Sequence, residues 1–491
     1  MSARAPLRGR RGLTLFVVLL ALFSVNLTLT ILTIAIEPIS RDFGTSEAAT
    51  AWITLAPIVV TALVTPAAGR AGDYYGRRRL WLFGMFTVVA GMALSGLAPT
   101  LGVLIAARVI TGVGVGCVMP SGLALSAGAY PPEERGIAVG WWSGVAGFSP
   151  AVGVIVGGII IEFVSWRIMF AAQLPIGIAA IVLGLIVFAE NRGESTGRFD
   201  TPGAILGGVS VFAFMLAVNQ GGDWGWTSAA TIGLFVVSAA TLAIFIRVEA
   251  HAENPVIPLD FFADRPIRWT IVTRGFLMGA YMGSFIILPL FLINAGGWAA
   301  GLAALALAPR PLSMSITGPI AGKLSTRLDP AKLNLLGACG ICLAILGLVA
   351  VQASTAYWIL LIVLIVKGVG LGLSAASTGA IATSRTPADE LGSMSGTLSI
   401  TNAVANSLGM AVMLGIVTSI GIANDSAYDI AFGFGAVIAF AGVLASGFLL
   451  RATQSERRDD TEALLAESEA RHRAPGDARP GSPSDGTPTV A

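Results

Sequence analysis

Stretch after stretch of this chain is long enough to cross a bilayer and carries no charge. Residues 12–36, 80–107, 136–161, 275–309, 333–366 and 391–424 contain no Asp, Glu, Lys or Arg. About 20 apolar residues span the hydrocarbon core of a membrane. The chain is 55% hydrophobic and only 12% charged, whereas soluble domains carry roughly 25% charged residues. A water-soluble core cannot hide this much apolar surface, so lipid is the solvent for most of the chain. Backbone amides in lipid must be satisfied within their own segment, which predicts helices.

Fourteen runs reach spanning length: 13–36, 49–69, 80–98, 101–125, 136–161, 168–189, 202–220, 228–247, 269–293, 299–321, 333–352, 357–383, 393–420 and 428–450. The run at 13–36 is too long for the apolar core of a signal peptide and is read as an uncleaved first span. Positive charge sets the orientation. With the chain starting in the cytoplasm, Arg4, Arg8, Arg10, Arg11, Arg77, Arg78, Arg79, Arg135, Arg192, Arg198, Arg265, Arg268, Lys323, Arg327, Lys332 and Arg385 fall inside. Only Arg41 and Arg167 fall outside. An even number of spans returns residues 451–491 to the cytoplasm. Their Arg, Glu, Asp, Pro, Gly and Ser content predicts disorder, with a short helix near 461–469.

A long-period duplication divides the spans. Asp73 corresponds to Thr326, Arg108 to Lys367, and the loop ending at Gly136 to the loop ending at Gly392, all at one offset of about 256 residues. The predicted organisation is a tail at 1–12, a six-helix bundle at 13–190, a linker with an inserted helix pair at 191–268, a second six-helix bundle at 269–450 and the tail at 451–491. Parallel repeats of this kind are a transporter signature, with the substrate near midplane between the halves.

One loop carries most of the specific information. Gly69, Arg70, Gly72, Asp73, Gly76, Arg77, Arg78 and Arg79 form a tight charged hairpin between the second and third spans. It matches the G-x-x-x-D-x-x-G-R-R loop of the major facilitator superfamily. Arg108 with Gly112, Gly114 and Gly116 is similar to that family's fourth-helix arginine motif. Gly144, Gly147, Gly153, Gly157 and Gly158, with Pro150 among them, are similar to its fifth-helix antiporter motif. The chain therefore resembles this superfamily, and within it the fourteen-span drug:proton antiporter branch, over about residues 20–450. Two departures stand out. Thr28 replaces the acid usual in the branch's first helix, and Gly153 is followed by Val154 where the family has proline.

The resemblance implies a secondary active exporter of amphipathic small molecules, such as a drug, an antibiotic or a lipid-like metabolite. It would work by alternating access coupled to proton influx, as a monomer in the inner or plasma membrane. It also implies that Asp73 docks on the start of the thirteenth helix, near Gly392–Met394, as a gate. Coupling candidates are Arg108 and, in place of Thr28, Glu37. An uncoupled facilitator or a flippase-like carrier is the alternative, and the missing acid is its support.

Charge inside the spans bears on the cargo. A charged side chain at bilayer centre costs about 2.5–3.5 kcal/mol, so Arg108, Arg310 and Lys367 are candidates for function. Arg274 sits one turn inside its span and is expected to snorkel. No Asp or Glu lies deep in any span, and uncompensated cations favour an anionic or zwitterionic guest. The remaining cavity candidates are the polar side chains Asn26, Thr28, Thr30, Asn402 and Asn406.

Other classes are poorly supported. Two histidines and no deep carboxylate argue against a membrane-embedded enzyme. No P-loop spacing supports ATP-driven pumping, and no cofactor, metal or nucleic acid is expected. Cys339 and Cys342 have a C-x-x-C spacing but sit in an apolar run, where small-residue packing accounts for them.

Overall fold

The computed structural model describes residues 8–30, 32, 35–189, 200–252, 255–258, 260–352, 355–422 and 424–473. Among these there is no strand. The helices are α1 (Arg8–Thr30), α2 (Ile36–Phe43), α3 (Glu47–Thr50), α4 (Trp52–Tyr75), α5 (Arg77–Gly96), α6 (Leu101–Gly128), α7 (Arg135–Phe163), α8 (Trp166–Val187), α9 (Thr201–Trp224) and α10 (Ala229–Glu249). There follow α11 (Asp260–Ala263), α12 (Arg265–Leu290), α13 (Ala300–Ala306), α14 (Pro309–Leu324), α15 (Pro330–Val349), α16 (Tyr357–Arg385), α17 (Leu391–Ile420) and α18 (Asp425–Arg473).

Twelve helices among the described residues are long and apolar enough to cross a membrane. The predicted run 136–161 falls in α7. The predicted run 299–321 is not one helix. It breaks between Ala306 and Pro309 into α13 and α14. Pro309 has no N–H to donate to the carbonyl one turn back, and its ring crowds that carbonyl, so it starts a helix rather than continuing one. Helix α18 runs past residue 451 to Arg473 and takes in the helix expected near 461–469. Its last part is rich in Ala, Leu, Glu and Arg, which are strong helix formers. Residues 474–491 lie outside the described residues.

Helices α1 and α4–α8 pack into one bundle, and α12 and α14–α18 into another. The first has a core of Val17, Ala21, Trp81, Met85, Val88 and Val118. Ile287, Phe291, Leu364, Met413, Tyr428 and Phe432 pack together in the second. Helices α9 and α10 pair with each other, and α9 lies against α4 and α17, one helix from each bundle.

The bundles meet where α7 faces α14 and where α4 faces α17. Both seams depend on glycine. A Cβ on Gly140 would lie 2.6 Å from the Gly318 carbonyl oxygen, and one on Gly318 would lie 2.8 Å from that of Gly140. Side chains there would hold the two backbones apart, so the seam closes only because none is present.

Glycine also sets packing inside the second bundle. A methyl group on Gly409 would collide with the Gly279 carbonyl on α12, whereas one on Gly415 of the same helix meets nothing within 4 Å. Gly409→Ala is expected to destabilise the protein by about 1–3 kcal/mol through overpacking. Gly415→Ala should leave the melting temperature unchanged or slightly raised. Thermal unfolding of the two purified variants in one detergent checks the contrast.

Candidate functional site

The charged hairpin turns at Gly76, whose φ of 105° is a conformation that side chains disfavour. This turn starts α5 at Arg77 and leaves Asp73 in the last turn of α4. Asp73 is 1% exposed. Its Oδ1 accepts from the Gly392 amide at 2.9 Å, and its Oδ2 accepts from the Ser393 amide at 2.8 Å and the Ser393 hydroxyl at 3.2 Å.

The reason for this contact lies in α17. The residue before that helix, Glu390, makes no side-chain cap, so the first amides of α17 lack a partner of their own. Asp73 supplies the cap from the other bundle, where a carboxylate also meets the positive end of the helix dipole. Arg77 holds the carboxylate in place, with Nε and Nη2 donating to Oδ1 at 2.9 and 2.6 Å. Its Nη2 also donates to the Ala388 carbonyl at 2.5 Å. Gly69 is part of the same fit, since a Cβ there would lie 2.7 Å from the Gly392 carbonyl. Arg78 does not join this contact, because its Nη2 donates to the Leu185 carbonyl at 2.9 Å within its own bundle.

A second tie between the bundles comes from Arg135, at the start of α7. Its Nη1 donates to the carbonyls of Thr386, at 3.0 Å, and Thr383. The sequence reading counted Arg135 only as an inside charge. Its place just after Pro132, Glu133 and Glu134, in the loop that aligns with the Gly392 loop, was the available signal.

Inside the first bundle Arg108 is fully buried. Its Nε donates to the Ile53 carbonyl at 3.2 Å and its Nη2 to the Thr28 carbonyl at 3.5 Å, and it lies over the Phe170 ring. The Thr28 hydroxyl sits 2.6 Å from Gln173 Oε1 and 2.8 Å from the Ser24 carbonyl, which share its one proton. Gln173 Nε2 donates to the Met169 carbonyl at 2.7 Å. Gln173 was missed from sequence, although a lone amide in the apolar run of α8 was visible. Asn26 is half-buried on α1, and the side chain of Thr30 lies outside the described residues.

The second bundle holds a related arrangement. Lys367 is fully buried, donates to Ser284 Oγ at 2.6 Å and lies 5.1 Å from the centre of the Tyr281 ring. Arg310 approaches the same ring at 5.4 Å and the Phe285 ring at 3.9 Å. Lys367, Ser284 and Arg310 stand at the offset of about 256 residues from Arg108, Thr28 and Ile53, so both bundles place a cation between the same three helices.

Arg274 corrects its expected snorkelling. Its Nε donates to Asn402 Oδ1 at 2.7 Å, and its Nη1 to Thr378 Oγ1 at 3.1 Å and the Ala375 carbonyl at 3.4 Å. Asn402 is thus held from α12. Asn406, one turn along, has a buried Oδ1 without a hydrogen-bond partner.

Glu37 is not brought to this interior. It sits in the short helix α2 at the far end of α1, 60% exposed at its side chain and ion-paired with Arg41. Beside it, Arg167 and Trp166 donate to Asp42 at 2.6 and 3.1 Å. Those bonds hold the Asp42 carboxyl below its ordinary range. Along α7, Gly144 packs on Pro319 and Ser315 of α14, and Gly153 is buried. The helix continues through Pro150. Gly157 and Gly158 lie in α7, and their surroundings fall outside the described residues.

The Major Facilitator Superfamily model matches residues 17–410 and 311–476. Multidrug resistance protein Stp of Mycobacterium tuberculosis (strain ATCC 25618 / H37Rv) is 31% identical over 406 residues, which are 82% of this chain and 75% of that protein. The tetracenomycin C resistance and export protein of Streptomyces glaucescens is 28% identical over 408 residues, 83% of this chain and 76% of that protein. The crystal structure of the human organic anion transporter MFSD10 (TETRAN) superposes with a TM-score of 0.66 over 90% of this chain and 100% of that one, at 13% identity. At that identity it speaks for the fold alone.

The cap that Asp73 supplies can be measured. Asp73→Ala should cost the closed arrangement about 2 kcal/mol, a shift of roughly thirtyfold toward separated bundles. Spin labels at Tyr75 and Ala388, both exposed and on opposite bundles, should then report a longer distance population by electron–electron double resonance. An unchanged distribution would mean that the cap contributes nothing to closure.

Proposed function

The chain belongs to the Major Facilitator Superfamily, a class of membrane transporters and not of enzymes, and from that premise we propose that it exports amphipathic small molecules by alternating access. Relatives named for multidrug resistance and for antibiotic resistance and export support the cargo class. The observation that carries the mechanism is the cap of α17 by Asp73. Two backbone amides and a hydroxyl on one bundle depend on a carboxylate on the other, and Arg77 and Arg135 add bonds to carbonyls of the second bundle. Such a contact can break and re-form as a unit, as a two-state gate requires.

In this reading the chain crosses the inner or plasma membrane fourteen times. Helix α7 and the broken pair α13–α14 join the twelve long apolar helices, α9 and α10 are the inserted pair, and both termini are cytoplasmic. The protein works as a monomer, with proton influx driving export and Arg108 near the coupling path.

A second reading has a specific observation behind it. The Thr28 hydroxyl and the Gln173 amide form a neutral pair beside Arg108, where the branch pattern has an acid. Neither group exchanges a proton near neutral pH, which favours a facilitator or flippase-like carrier without tight coupling.

Transport into inside-out membrane vesicles, followed with a panel of fluorescent amphipathic dyes, tests both readings. Export coupled to protons predicts dye accumulation that a protonophore abolishes and that Asp73→Ala lowers by about tenfold or more. Dye entry that only equilibrates and ignores the protonophore in wild type, with accumulation that depends on it in Thr28→Asp, would favour the uncoupled carrier. No accumulation of any dye under either condition would remove the exporter reading.

A further inference from the structure

We infer that the second bundle contains a built receptor for an anionic oxygen group, a carboxylate or phosphate, carried by an amphipathic guest. It is formed by Arg310, Lys367 and the start of α14, with the Tyr281 and Phe285 rings as its apolar wall. The inference rests on the exporter reading and deepens it by naming the part of the guest that is recognised and the bundle that recognises it.

The argument begins with the break between α13 and α14. Pro309 starts a sixteen-residue helix inside the bundle, about 23 Å from its far end by the rise per residue. Pro309 and Pro311 have no N–H and the Leu312 amide bonds the Ala308 carbonyl, so this helix start contributes its partial positive charge and at most one amide, that of Arg310. Arg310 stands in that first turn, where a cation is opposed by the dipole rather than stabilised by it. It is 6% exposed, and its buried Nε has no hydrogen-bond partner. Among the described residues no ion pair or hydrogen bond reaches its guanidinium.

Lys367 supplies a second positive group on the same Tyr281 ring. Of its three N–H donors, one is used, on Ser284. The approach is built in, because a side chain on the next residue, Gly368, would collide with the Arg310 carbonyl. No Asp or Glu occurs between Arg265 and Pro309, or between Leu333 and Lys367, so the protein brings no counter-charge to the pair.

In the first bundle Arg108 donates to two carbonyls, those of Ile53 and Thr28, although its buried Nη1 has no partner. At the position matching Ile53 the second bundle has Arg310, whose carbonyl accepts from Ser313 Oγ at 2.9 Å and whose side chain adds a second cation. Two buried cations, spare donors and a helix start point at one place, and an anionic oxygen group is the chemistry that answers all three. The rings suit a guest whose charged end is attached to an apolar body.

The test uses the full chain purified into phosphatidylcholine nanodiscs, with 11-(dansylamino)undecanoic acid and its methyl ester as probes matched in apolar body. Wild type should bind the acid about tenfold more tightly than the ester. Arg310→Gln and Lys367→Met should each remove most of that preference and leave ester binding unchanged. Lys367→Arg, which keeps the charge, should retain it. Equal binding of acid and ester by wild type would overturn the inference, as would a preference that survives both substitutions.

Repeating the measurement in nanodiscs containing phosphatidylglycerol identifies the source of the anion. Loss of the probe's preference there supports the receptor with a lipid headgroup as occupant. Persistence supports it with a free amphiphile as occupant. Binding needs no turnover, so a protein that prefers the acid but fails to transport would count against export and leave the receptor standing.

Discussion

A charge buried in a lipid-embedded bundle must find its partner inside the protein, because water is not there to provide one. That constraint organises the interior of this transporter. Asp73 is buried and finds the amides of α17 and the guanidinium of Arg77. Arg108 finds backbone carbonyls. Arg274 finds Asn402 and Thr378. Each solution ties together helices that the apolar pattern alone would leave free to slide, so the few polar groups set register while the apolar majority sets only depth.

The same constraint shapes the seam between the bundles. Apolar side chains gain little by meeting one another rather than lipid tails, so association inside the membrane depends on close backbone approach and on polar contacts. Glycines at 140, 318, 69 and 392 provide the approach, and Asp73 and Arg135 provide most of the direction. In the proposed cycle a seam held by a handful of directed bonds would open readily, while the cap on α17 would favour closure. Helix α9 packs on α4 and α17 together, which places it beside the seam rather than in the interior of either bundle.

Much of this was legible in the residues, and the limits of legibility are physical. Span positions follow from hydropathy, since lipid imposes one length and one polarity on every helix. The hairpin and its contact with the start of α17 were readable because the turn demands glycine at fixed places and a family pattern exists for it. The break at Pro309 was harder. Residues 299–321 are apolar throughout the break, and hydropathy has no means of seeing a missing amide donor. Gln173 was overlooked because a single amide in an apolar run is ordinary, and its importance comes from facing Thr28 across helices 145 residues apart. Glu37 looked like a substitute acid because it follows the first span closely. The chain turns into α2 there and carries it outward to Arg41, a rotation that spacing does not encode.

The contrast between the two bundles is informative because Thr28, Ile53 and Arg108 of one stand about 256 residues before Ser284, Arg310 and Lys367 of the other. Arg108 on α6 faces α4 and α1, and Lys367 on α16 faces α14 and α12. What differs is the second shell of charge. In the first bundle the neighbouring positions are Thr28 and Ile53, which contribute two carbonyls to the cation while its Nη1 stays unpartnered. In the second they are Ser284 and Arg310, which contribute one hydroxyl and a further cation. The desolvation of one buried cation is thus met in the first bundle by two bonds, whereas the second bundle carries two cations and one bond. The surplus positive charge in the second copy is therefore held in place by the fold itself, with Pro309 fixing the helix start and Gly368 permitting the approach. Selection for stability alone would favour a neutral residue at either position, so the pair is better explained by something outside the chain that it receives.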